Sequence, residues 1–204
     1  MLSFYSERFN TTEINYTFRR IPSESTLKNW FTETPPHFRF TLKAPQQITH
    51  VHKLRDCESI VQHFADAAQT LGEKLGTILF QLPPFLRCDV PLLLDFLSAL
   101  PPKLKAAFEF RHESWFNDET FSTLKAHNAA LCVADSEKLH TPGLVTADFG
   151  YFRLRDEGYS EKDIARWADE IKKVSASLTD VYVYFKHEEA GLGPKFAAML
   201  LKAF

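Results

Sequence analysis

Thr77-Ile78-Leu79-Phe80-Gln81-Leu82, a stretch opened by Asp89 and Pro91, and then Ala106-Ala107-Phe108-Glu109-Phe110-Arg111 decide the fold. Both outer pieces are short, apolar runs of β-branched or aromatic character with Pro or polar residues beside them, the pattern of a strand. The piece between them reads as a helix. A short acceptor at the cap and a Pro in the first turn both suit the unpaired N–H groups of a helix start. Two strands joined by a helical crossover run parallel, since parallel neighbours need a connection of about a dozen residues or more.

The same unit recurs in both directions along the chain. Further strands are predicted at Thr12–Asn15, Arg39–Ala44, Ala130–Asp135, Tyr151–Arg155 and Asp180–Lys186, which brings the total to seven. In Asp56–Lys74, Ile60, Phe64, Ala68 and Leu71 recur at three- and four-residue steps, one apolar stripe on a helix. Asn117 caps a helix that buries Phe121 and Leu124. Ser160 and Asp163 approximate a capping box before Ile164, Trp167, Ala168 and Ile171, and Gly193-Pro194 opens the last helix. Ser23–Phe31 is a shorter helix. No linker or low-complexity stretch divides residues 1–204, so a single domain is expected. A doubly wound nucleotide fold carries a Gly-rich turn, and none of the 7 glycines has that spacing. The prediction is an α/β fold, a TIM-type (β/α) barrel with seven recognisable parallel strands.

Composition narrows the setting. The 204 residues are 45% hydrophobic and 25% charged, ordinary for a folded domain, and 19 Phe supply a core without disulfides or metals. Cys57, Cys88 and Cys132 form no paired or zinc-binding spacing, which fits a reducing compartment. A net charge of −2 and a pI near 6.4 give no broad drive toward nucleic acid or anionic membrane, so nucleic acid ranks low among partners. No apolar run reaches the roughly 18 residues of a membrane span, and Glu7 and Arg8 stand where a signal peptide would be apolar. A cytoplasmic protein without membrane attachment is expected.

Side-chain parity separates what packs under the helices from what points into a barrel. Phe108 and Phe110 share one face, Glu109 and Arg111 the other. Phe40 and Leu42 oppose Arg39, Thr41 and Lys43. Glu13 pairs with Asn15, Arg153 with Arg155, and Lys186 follows Tyr182 and Tyr184, while Gln81 and Asp135 sit at strand ends. With the large apolar side chains facing the helices, the charged ones point inward. Barrel sites lie at C-terminal strand ends, so Arg39, near the start of its strand, is structural. Lys43, Arg111, Arg153, Arg155 and Lys186 outnumber Glu13, Glu109 and Asp135, which points to a small anionic ligand held by charge-assisted hydrogen bonds.

Acid–base work would fall to Glu109, His112 and Asp135, with Trp115 beside them. Each has a structural alternative: Glu109 and Arg111 can satisfy neighbours, His112 can cap a carbonyl and Trp115 can lid the core. No cofactor is predicted. A divalent metal on His50 and His52, completed by Asp135, Glu109, His112 and His187, is the alternative and would make the protein a metal-dependent hydrolase. Cys132, of opposite parity to Asp135, is expected to be packed.

Several of these segments together resemble the YecE-like proteins, the family called domain of unknown function 72 (DUF72). They are Glu13-Ile14-Asn15, Phe40-Thr41-Leu42-Lys43-Ala44, Ile48-Thr49-His50, Phe80-Gln81-Leu82-Pro83-Pro84, Glu109-Phe110-Arg111-His112 with Ser114-Trp115, Asp135, and Tyr182 to Phe185. The resemblance implies a TIM-type barrel and a polar pocket, without an established reaction. The family's shared polar residues fall on Glu13, Asn15, Lys43, His50, Gln81, Glu109, Arg111, His112, Trp115 and Asp135. Three departures stand out. Arg153-Leu154-Arg155-Asp156 replaces Arg-Leu-His-Gly, Phe185-Lys186-His187 replaces Phe-Asn-Asn, and no Gly- and Trp-containing first strand is matched. The seven strands then correspond to the family's second to eighth. Two exposed strand edges would invite pairing with another chain or a homodimer, so a non-catalytic interaction protein is a further alternative.

Overall fold

A computed structural model of the chain describes residues 2–135, 139–156, 158–186 and 191–204. His187, named above for a metal site, lies outside them. Seven strands form one sheet in chain order, every neighbouring pair parallel. They are β1 (Thr11–Ile14), β2 (Arg39–Lys43), β3 (Leu75–Gln81), β4 (Ala106–Glu109), β5 (Ala130–Asp135), β6 (Phe149–Leu154) and β7 (Asp180–Phe185). The helices are α1 (Leu2–Ser6), α2 (Glu24–Thr32), α3 (Glu58–Ala68), α4 (Val90–Ala99), α5 (Asp118–Ala126), α6 (Glu161–Ser175) and α7 (Leu192–Leu201). The sheet curls into a nearly closed barrel with helices between the strands.

Local chemistry places the helix starts where the sequence puts them. Asp89 Oδ1 accepts from the Leu92 N–H at 3.1 Å, Asn117 Oδ1 from the Thr120 N–H at 2.9 Å, and Ser160 with Asp163 forms a reciprocal capping box. Strand ends moved instead. The expected strand Ala106–Arg111 stops at Glu109, so alternation does not carry Arg111 inward; its side chain is exposed.

Two apolar layers result. Outside the sheet, Phe40, Phe80, Phe108 and Phe110 pack with Phe64, Phe96 and Trp115 of the helical layer, every one of them buried. Inside, size is matched across the register. Cys132 lies beside Tyr151, and Tyr151 beside Tyr182; Ala134 lies beside Arg153, and Arg153 beside Tyr184. Small residues on β5 leave the space that large residues on β6 and β7 fill, as a narrow barrel requires. At Gly76 a Cβ would stand 3.1 Å from the Tyr182 ring, so any larger residue would have to displace that ring by a few tenths of an ångström.

Among the described residues no pairing closes β7 onto β1. The two strands are bridged by side chains, with the Tyr184 hydroxyl 2.8 Å from Thr11 Oγ1 and 2.7 Å from Thr41 Oγ1. Beside this seam a cleft of about 540 Å³ runs between the N-terminal segment and α7. Tyr5, Phe9, Leu201 and Phe204 line it together with Glu13, Arg153 and Lys186. Among the described residues no helix is long and apolar enough to cross a membrane.

Candidate functional site at the strand ends

Arg153 is the centre of the polar cluster. It projects inward from β6, and its two terminal nitrogens donate to carboxylates on two other strands: Nη1 to Glu109 Oε2 on β4, Nη2 to Glu13 Oε1 on β1 at 2.8 Å. Hydrogen bonds that cross between non-adjacent strands require all three side chains to face the barrel interior, as parity predicts. Gln81 and Glu109 are register partners on β3 and β4, which brings the Gln81 amide to 2.9 Å from the same carboxylate. Arg155 Nη2 donates to Glu109 Oε1 at 3.1 Å. Glu13 also accepts from the Tyr151 hydroxyl at 2.6 Å and the Asn15 amide at 3.1 Å.

Burial of Glu109 would raise its pKa, but Arg153, Arg155 and the Gln81 amide outweigh it and hold the carboxyl below its ordinary value. For Arg153 burial opposes the charge, and Glu109 and Glu13 reverse that, so the guanidinium is held well above its ordinary value. Both carboxylates are therefore committed to arginines, which is costly to build unless each buried charge is paired. The Tyr151 hydroxyl is pushed up by burial and by Glu13.

Lys43 differs from these. It closes β2, is half-buried, and its ammonium stands 4.2 Å from the centre of the Phe18 ring. Among the described residues it has no ion pair. Burial first, then Arg153, lowers its pKa to about 8, with Lys186 adding to the depression and Glu109 and Glu13 working against it. His50, on the helical turn after β2, is lowered by burial and then by the charges of Lys43 and Arg111. The Arg155 Nε is buried without a hydrogen-bond partner among the described residues. Lys43, Arg153, Arg155 and Lys186 thus face two carboxylates, Glu13 and Glu109.

Other expected site residues fall elsewhere. Asp135 accepts from the Tyr159 hydroxyl at 2.7 Å and lies 3.7 Å from His140. His112 caps a short turn, its Nδ1 accepting from the Ser114 N–H at 3.1 Å. Trp115 is fully buried, stacked on Phe110 at 4.6 Å, and donates to the Leu86 carbonyl. For Trp115 this is the structural alternative weighed above, while His112 caps a backbone N–H rather than the carbonyl considered there. Cys132 is buried inside the barrel, and its thiol is raised well above its ordinary value by burial and by Glu109. Among the described residues no three His, Cys, Asp or Glu side chains gather where one metal ion could join them. The sequence names Tyr184 only for its parity with Lys186 and does not point to Tyr151 or Tyr159 as partners of the charges; Tyr151 shares the parity of Arg153, the signal that finds it.

The family model described as "Protein of unknown function DUF72" matches residues 1–204. The UPF0759 protein YecE of Escherichia coli is 33% identical over 116 residues, 56% of this chain and 43% of that protein, so the match spans less than half the length of that relative. The UPF0759 protein YunF of Bacillus subtilis is 24% identical over 93% of this chain and 81% of its own length. Crystal structures of DUF72 family proteins share the fold. One from Enterococcus faecalis superposes with a TM-score of 0.87 at 19% identity, covering 100% of this chain and 87% of that one. One from Thermotoga maritima gives 0.84 at 26% identity, covering 95% and 84%.

Proposed function

We propose, for a chain that belongs to the DUF72 family, that the C-terminal mouth of the barrel binds a small anionic molecule, a phosphate ester or a carboxylate. The observation that carries this is Lys43: a half-buried cation with no ion pair among the described residues, in a cluster whose two carboxylates already serve arginines. An anion placed against Lys43, Lys186 and the unpaired Arg155 Nε would supply the missing partner. Lining residues are Glu13, Asn15, His50, Gln81 and, at the rim, Arg111.

Glu109 suits the role of a positioning residue, since both of its oxygens hold donors. Acid–base chemistry of a hydrolase, lyase or isomerase type would draw on Asp135 with its Tyr159 partner, at the end of β5. Thermal melts with phosphate, phosphorylated sugars and dicarboxylates test the binding. At about a hundred times its dissociation constant a ligand adds roughly 2.7 kcal/mol to the folded state. Phosphate esters or carboxylates are expected to raise the melting temperature, and Lys43→Met combined with Lys186→Gln to abolish the rise. No shift with any anion defeats the proposal.

A second reading has its own observation, the unpaired seam between β1 and β7 with its cleft. Here the edges pair with a second copy of the chain, and the protein acts through assembly.

A further inference from the structure

Two lysines that leave the surface, Lys74 and Lys43, contrast sharply. Lys74 is fully served: its ammonium donates to the Phe31 carbonyl at 2.5 Å, the Thr34 carbonyl at 2.6 Å and Thr34 Oγ1 at 3.2 Å, so all three of its protons are engaged even though burial and Arg39 lower its pKa. Lys43 has no such set. Its nitrogen lies against the Phe18 ring at the C-terminal end of β2, with no hydrogen-bond acceptor among the described residues.

We propose that the Lys43 amine is a nucleophile that condenses with the carbonyl carbon of a small aldehyde or ketone whose anionic group is held by Arg155 and Lys186. The inference rests on the anion reading and adds the reacting group to it. The neutral amine attacks the carbonyl carbon, forming a C–N bond while the C–O π pair moves to oxygen. One N–H proton passes to that oxygen, giving a carbinolamine. Loss of the hydroxyl with the second N–H proton releases one water and leaves the imine. No oxidant or further reactant is needed.

The surroundings favour each part. The groups facing Lys43 are Arg153 from β6, Glu109 from β4, Glu13 from β1 and Lys186 after β7, with His50 and Arg111 at the rim. Both carboxylates are held by arginines, so no acid remains to lock the lysine as its ammonium. Burial and the cations hold its pKa to about 8, which supports a neutral fraction that exposed lysines lack.

Two small carbonyl probes test this: glyoxylate, and a phosphorylated aldehyde such as glyceraldehyde 3-phosphate. Each is incubated with the whole protein and cyanoborohydride, and the reduced adducts are located by peptide mass mapping. The expected result is adduct at Lys43 forming at least about tenfold faster than at exposed lysines. Inorganic phosphate slows it, and Lys43→Arg removes it while the other sites are unchanged. Adducts spread over surface lysines with Lys43 unmarked overturn the inference. If phosphate raises the melting temperature while Lys43 stays unmarked, the anion reading stands and the nucleophile fails. If Lys43 is marked and phosphate neither shifts the melt nor slows labelling, the nucleophile stands and the anion reading fails.

Discussion

Lys43 shows how one residue can be destabilising by design. In the folded chain it releases its proton near pH 8, against an ordinary value of 10.5. Below about pH 8 both states hold the proton, and the folded state carries the whole cost of burying the charge. Between these values the folded state has already released it while the unfolded state has not, so the unfolded state binds more protons and stability rises with pH. Lys43→Met, without ligand, is therefore expected to melt above the wild type at pH 7, with the gap closing toward pH 10. Melting curves across that range check it, and a wild type that melts higher at pH 7 counts against an uncompensated charge. A residue retained at such a cost is typical of sites that trade stability for function.

At the scale of elements, one guanidinium ties three strands together. Arg153 joins β6 to Glu13 on β1 and Glu109 on β4, and Gln81 adds β3. Glu109→Gln keeps the shape but removes the charge that answers Arg153 and is the only carboxylate partner of Arg155 among the described residues. Removing one member of a buried pair costs about 3–5 kcal/mol, because the other is left charged and desolvated. Urea denaturation should show a loss of that order, and a loss under about 1 kcal/mol would mean that water reaches the cluster freely. The helices contribute differently. Their caps act locally and fix where each crossover begins, which is why the starts of α4, α5 and α6 match expectation while the ends of β1, β4 and β6 shifted by one or more residues.

For the whole molecule the open seam is the distinguishing feature. A barrel that fails to pair its first and last strands leaves two parallel edges, with backbone groups available to another strand. If the second reading holds, light scattering after size exclusion gives a concentration-dependent dimer, and Tyr184→Phe, which unbridges Thr11 and Thr41, shifts that equilibrium. A monomer at all concentrations removes that reading and leaves the mouth as the site of function.

The sequence by itself determined the fold class and the inward set. Strand–helix alternation needs only local patterning, and parity alone places Glu13, Glu109 and Arg153 inside. Tertiary structure decided what those charges do. Whether a lysine is caged like Lys74 or open like Lys43 depends on groups some forty residues away in one case and on three other strands and the residue after β7 in the other. Trp115 and His112 look like site residues in a linear motif, yet a strand ending at Glu109 turns the indole under the helices and spends the imidazole on a cap. The physical reason is range: hydrogen bonds within a turn and alternation within a strand are set by neighbours in sequence, whereas charge pairing and desolvation are set by whatever the closed barrel brings alongside.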